Sequence, residues 1–117
     1  MSATAAKDTL FLLKPDFQKD DAQAYYCPHS AQLEGVFAYY PTLRDRVDVR
    51  YLDYPKPRQT LVDLLGAERQ GTPVVVLGAA PDADLQGVQR AGEHHFVSGA
   101  RDIGAYLSRI YGVTAPS

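Results

Sequence analysis

Residues 73–77, Pro-Val-Val-Val-Leu, are apolar at every position and too few to make a core helix. A strand with two apolar faces lies inside a sheet that is covered on both sides. The rest of the chain supplies that cover. Residues 9–13 are a second short apolar run, bounded by Lys14-Pro15, and read as a buried strand. Leu33, Val36, Phe37 and Tyr40 fall at i, i+3, i+4 and i+7, which predicts a helix over 31–40 that Pro41 ends. Residues 47–54 alternate, with Val47, Val49 and Tyr51 on one face, as a strand nearer an edge does. Leu61, Leu64 and Leu65 predict a helix over 58–65 with Gly66 after it. Residues 93–98 read as a short strand. From Ala100, the residues Ile103, Tyr106, Leu107, Ile110 and Tyr111 form a last helical stripe, closed by Gly112.

The order is β-α-β-α-β-β-α. The first strand–helix–strand unit should be right-handed and parallel, and the last two strands antiparallel. The expected architecture is therefore a single α/β domain over residues 1–117, with a four-stranded mixed sheet and helices on both faces. Residues 1–8 and 113–117 are expected as flexible tails. Residues 14–24 and 78–92 are expected as surface loops, the first long enough for a lid, the second with a short helix over 84–90.

Charge and composition narrow the function. With 12 basic and 14 acidic residues the net charge is −2, and no basic stripe is visible, so no nucleic-acid partner is expected. Residues 1–8 lack an apolar signal core, and the apolar run 73–81 is too short to span a bilayer. A cytoplasmic protein with no membrane partner is the expectation. The sequence fixes no oligomeric state.

Cys27 is the only cysteine, so no internal disulfide is possible. It stands where the first helix begins, because Pro28 suits the first helical position. The sulfur is then the helix N-cap, beside unpaired backbone N–H groups that favour the nucleophilic thiolate. The competing role is that of a small buried hydrophobe.

This order of elements, with a cysteine at the first helix and a proline opening the third strand, resembles the thioredoxin superfamily over residues 9–112. Cys27-Pro28-His29-Ser30 resembles the Cys-x-x-Cys redox motif with serine for the second cysteine. Cys-Pro-His-Cys is the motif of strongly oxidising bacterial disulfide catalysts. Thr72-Pro73 stands at the place of the superfamily's cis-proline. Residues 96–103 are similar to the glutaredoxin segment in which a strand turns through Gly-Gly into the last helix. Tyr-Tyr-Cys-Pro-His, followed by Leu-Glu-Gly, is similar to a small bacterial thioredoxin-like family with no assigned function.

The resemblance implies a site. Cys27 would be the nucleophile, with His29 as a cation favouring the thiolate and Ser30 as a hydrogen-bond partner of the sulfur. Lys14 resembles a glutaredoxin lysine that meets a glutathione carboxylate. Ser98 and Gly99 would present N–H groups to the γ-glutamyl carboxylate, beside the retained Asp102. The Thr72 backbone, freed by Pro73, would pair with an extended substrate, and Tyr26, with Tyr25, would wall the site. Ser98 replaces the first glycine of that pattern, and Arg101 stands where an acid is usual. Each group also has a plainer role: a solvated lysine, a surface histidine, a strand-opening proline, an ordinary turn. His94 and His95 point to opposite faces of a strand, and no metal is expected.

Two functions follow as expectations. One is a monothiol thiol–disulfide oxidoreductase that takes a small thiol or a protein disulfide as substrate and glutathione as co-substrate. The other is a non-catalytic thioredoxin-fold binding module. An iron–sulfur carrier is disfavoured by Pro28, where the monothiol glutaredoxins have glycine.

Overall fold

A computed structural model describes residues 7–81 and 85–117. The chain runs through β1 (Asp8–Leu13), β2 (Phe17–Gln18), β3 (Ala24–Tyr25), α1 (Pro28–Tyr39), a 3-10 turn (Pro41–Asp45) and β4 (Val47–Leu52). It continues through α2 (Gln59–Leu65), β5 (Val74–Val76), β6 (Gln89–Ala91), β7 (His94–Ser98) and α3 (Ala100–Tyr111). The protein is a small α/β domain with a mixed five-stranded sheet in the order β4-β1-β5-β7-β6.

Four of these strands are those expected from the pattern. β1 pairs parallel with β4, and β5 pairs antiparallel with both β1 and β7. β4 is an edge, as its alternation suggested. The expected count of four is corrected to five by β6, which pairs antiparallel with β7 at the far edge. Its Gln89 and Arg90 are exposed and only Ala91 is buried, so it carries no apolar run to announce it. The short helix expected over 84–90 is not formed: Gln86–Gly87 is a turn, Gln89 and Arg90 are strand, and Asp84 lies outside the described residues.

Both faces of the sheet are covered, because side chains alternate along each strand. Leu10, Leu12, Val75, Leu77 and Val97 point to α1 and α3, where they meet Leu33, Phe37, Ile103 and Leu107. Phe11, Val74, Val76 and Phe96 point to α2 and meet Leu61 and Leu65. A fully buried leucine or phenylalanine contributes about 1.5–3 kcal/mol, so both clusters count.

Of the expected tails, residues 1–6 lie outside the described residues, and Asp8 and residues 113–117 depart from expectation. Asp8 opens β1 and is almost fully buried. Its Oδ2 accepts from Tyr106 Oη at 2.6 Å and Tyr111 Oη at 2.7 Å, and its Oδ1 accepts from the Gly78 N–H at 2.8 Å. Residues 113–117, expected as a tail, run back along the helices. Val113 packs against the core, Thr114 Oγ1 lies 2.7 Å from Tyr40 Oη, and Arg101 Nη1 donates to the Ser117 main-chain oxygen at 2.8 Å. Gly104 makes room for Pro116, since a Cβ there would sit 3.2 Å from the proline ring.

Residues 14–24 hold the hairpin β2–β3 rather than an open loop. The Phe17 ring stacks on Tyr54, with centroids 4.3 Å apart, and packs 6.3 Å from Tyr25. The Tyr25 hydroxyl donates to Asp21 Oδ2 at 2.5 Å. Among the described residues no helix is long and apolar enough to cross a membrane.

Burial, and then the hydrogen bonds to Asp8, push the Tyr106 and Tyr111 phenols well above the ordinary tyrosine value. A raised folded-state pKa favours folding below the unfolded value of about 10, and that contribution is lost as pH rises beyond it. In an absorbance titration, Tyr106 and Tyr111 should ionise only with alkaline unfolding. Asp8→Ala strands two hydroxyls and an N–H, and should lower stability in urea by about 3 kcal/mol.

Candidate functional site

The strand register brings the sequence's chemistry to one end of the sheet. β1 ends at Leu13, β5 begins after Pro73, and β7 ends at Ser98. Phe11 stands opposite Val74, and Val74 opposite Ser98, so these three points lie side by side. α1 starts at the same end, since Ser30 Oγ accepts from the Leu13 N–H at 3.2 Å.

Cys27 is the N-cap of α1, with Pro28 at the first helical position. The residue is partly buried, and its sulfur accepts the Ser30 N–H at 3.4 Å. The cysteine is thus neither sealed in the core nor fully open. His29 is exposed, on the outer side of the first turn. Ser30 is 4% exposed. Its backbone N–H, not its hydroxyl, donates to the sulfur, while the hydroxyl oxygen accepts from β1. That corrects the expected hydroxyl–sulfur contact.

The Thr72–Pro73 bond is cis, the isomer that the resemblance implies, and Pro73 is buried. The Pro73 carbonyl accepts from the Gly99 N–H at 3.1 Å, while the Thr72 backbone has no hydrogen-bond partner among the described residues. Gly99 caps α3 with φ 91°, a conformation that suits glycine. Its N–H is therefore not free for an anion, contrary to expectation. The unpaired donors at this helix start are those of Ala100, Arg101 and Asp102. They open on a concavity of about 350 Å³ that His29, Gln32, Ser98, Gly99 and Asp102 also line.

The remaining predicted residues stand around this centre. Tyr26 is 64% exposed, next to Cys27, and Tyr25 packs into the hairpin instead. Lys14 does not line the concavity; its Nζ is 3.0 Å from Asp53 Oδ1. Both partners are mostly exposed, so the pair is worth at most about 1 kcal/mol. Gln32 was not singled out from sequence, yet it follows from His29 by helical spacing. Among the described residues no three His, Cys, Asp or Glu side chains converge as a metal site.

A family model described as "Protein of unknown function (DUF3088)" matches residues 7–115, and the chain belongs to that family. No curated protein and no solved structure gives a significant match to the chain.

The Ser30 hydroxyl is the tie between strand and helix. Ser30→Ala should cost about 1–2 kcal/mol in denaturant melts, because it buries an unpaired Leu13 N–H. Native-state hydrogen exchange at Leu13 should accelerate with it.

Proposed function

We propose that this member of a family of unknown function is a thioredoxin-like domain that acts as a monothiol thiol–disulfide oxidoreductase. The observation that carries the reading is the partly buried Cys27 that caps α1, at the sheet end where Pro73 and Gly99 also meet. The order and pairing of β1, β4, β5 and β7 support the fold assignment, with β6 and the β2–β3 hairpin as additions.

In the first step the Cys27 thiolate attacks one sulfur of a disulfide. A Cys27 mixed disulfide forms, and the other sulfur leaves as a thiolate that takes up a proton. With no second cysteine in the chain, an external thiol completes the cycle. Glutathione, as co-substrate, would attack the mixed disulfide, free Cys27 and form a new disulfide with the departing half. His29, exposed in the first turn of α1, would favour the thiolate when protonated. The His29 N–H of α1 and the unpaired N–H groups at the start of α3 would meet the anionic parts of the two sulfur partners. An extended protein substrate would pair with the unpartnered Thr72 backbone.

Two observations favour a second reading, a thioredoxin-fold binding module without catalysis. Lys14 is paired with Asp53, and the Gly99 N–H is taken by Pro73. Both are groups that the glutaredoxin resemblance assigned to glutathione.

Incubation with glutathione disulfide separates the two. The oxidoreductase should gain one glutathione on Cys27, seen in the intact mass and reversed by an added thiol. His29→Gln should slow alkylation of Cys27 at neutral pH by about two- to fivefold. Cys27→Ser keeps a good N-cap and should fold. No adduct, with alkylation no faster than for a free cysteine, sinks the redox reading.

A further inference from the structure

A second concavity lies at the opposite end of β1, on the α2 face. α2 has seven residues, a length of about 10 Å, and its Thr60, Asp63 and Leu64 form one wall of the concavity. The opening measures about 470 Å³, within the range of roughly 300–1,000 Å³ usual for small-molecule sites. Its floor is apolar and buried, made by Phe11 and Val76. Lys7, Arg50 and His94 stand around it, with Thr9 and Thr60 as hydroxyl donors.

Arg50 is the informative residue. Arg44, Arg46, Arg58, Arg69, Arg90 and Arg101 each hydrogen-bond a protein oxygen. Among the described residues Arg50 and Arg109, both exposed, do not, and neither Arg50 nor Lys7 has an ion-pair partner. An unpaired guanidinium beside an ammonium, over an apolar floor, matches a carboxylate or phosphate that carries an apolar body. The one acidic lining group, Asp63, is turned to its own helix, where Oδ1 accepts from Gln59 Nε2 at 2.7 Å. The nearby Gly78 N–H is committed to Asp8, so recognition falls to side chains.

We propose that this concavity binds a small organic anion, its carboxylate or phosphate held by Arg50 and Lys7 and its apolar part lying on Phe11 and Val76. The site is separate from the Cys27 end and does not depend on the redox reading. Benzoate and phenyl phosphate, titrated into the whole chain at constant ionic strength and followed by amide NMR shifts, test it.

Binding should saturate with a Kd on the order of 1 mM or tighter for at least one probe, and the shifts should centre on Phe11, Arg50, Val76 and His94. The tighter probe tells carboxylate from phosphate. Arg50→Gln should weaken binding about tenfold, Lys7→Gln less, and Asp63→Asn should tighten it. Arg109→Gln, the same change of charge elsewhere, should leave it unaltered. No saturable shift up to about 20 mM overturns the proposal. So do shifts centred on Ser98–Asp102, or wild-type affinity in the Lys7 variant where Arg50→Gln does not fold.

Discussion

β1 is held by a buried polar side chain at each end, and the placement of everything else depends on those two contacts. At its start, the Asp8 carboxyl accepts three hydrogen bonds, two from α3 and one from the chain leaving β5. At its finish, the Leu13 N–H donates to Ser30 on α1. Apolar packing is non-directional, so the clusters on the two faces set which elements touch but leave them free to slide. A buried hydrogen bond removes that freedom, because a shifted register would leave the polar group unpaired at a cost of about 1–3 kcal/mol. Strand and helices are thereby locked along the one direction that packing leaves loose.

The two faces of the sheet are covered by different helices, and a concavity of about 470 Å³ opens beside the helices of each. α1 and α3, with 12 residues each, lie on one face, and the closing segment runs beside them; α1, α3 and Thr114–Ser117 line the concavity there. α2, with seven residues, packs Leu61 and Leu65 on the other face. Open space is left at both ends of β1. One opening lies between the first turns of α1 and α3, close in sequence to Cys27 but not lined by it; the other collects unpaired cations over apolar strand. The two differ in chemistry because different elements end there.

Much of this was legible in the sequence, for a physical reason. Apolar periodicity reports burial, and β1, β4, β5, β7, α1, α2 and α3 all bury a face, so each left its pattern. The start of α1 was legible too, since Pro28 and the stripe from Leu33 to Tyr40 together fix the N-cap at Cys27. β6 was not, because an exposed edge strand pairs through its backbone and needs no apolar side chain. Nor was the Asp8–Tyr106–Tyr111 cluster, whose members lie about a hundred positions apart and are joined only by tertiary folding. A short acidic residue before an apolar run looks like a loop residue until its donors are known.

Ser30 shows how a motif position can be misread when residues are matched by type alone. Beside Cys-x-x-Cys it looks like a cysteine lost. In the fold it is a buried acceptor that fastens α1 to the end of β1. A thiol is a weak acceptor and a larger one, so a cysteine at this position would hold the Leu13 N–H less well. The serine is therefore part of what positions Cys27, whatever chemistry the sulfur performs. If Cys27 does form mixed disulfides, their release must come from outside the chain. The groove that admits the second thiol is then as much a part of the site as the sulfur. His29, Gln32 and the start of α3 line that approach, and the departures from the glutaredoxin pattern, Ser98 and Arg101, lie there too. Selection of the incoming thiol would thus rest on the residues by which this chain differs from the family it resembles.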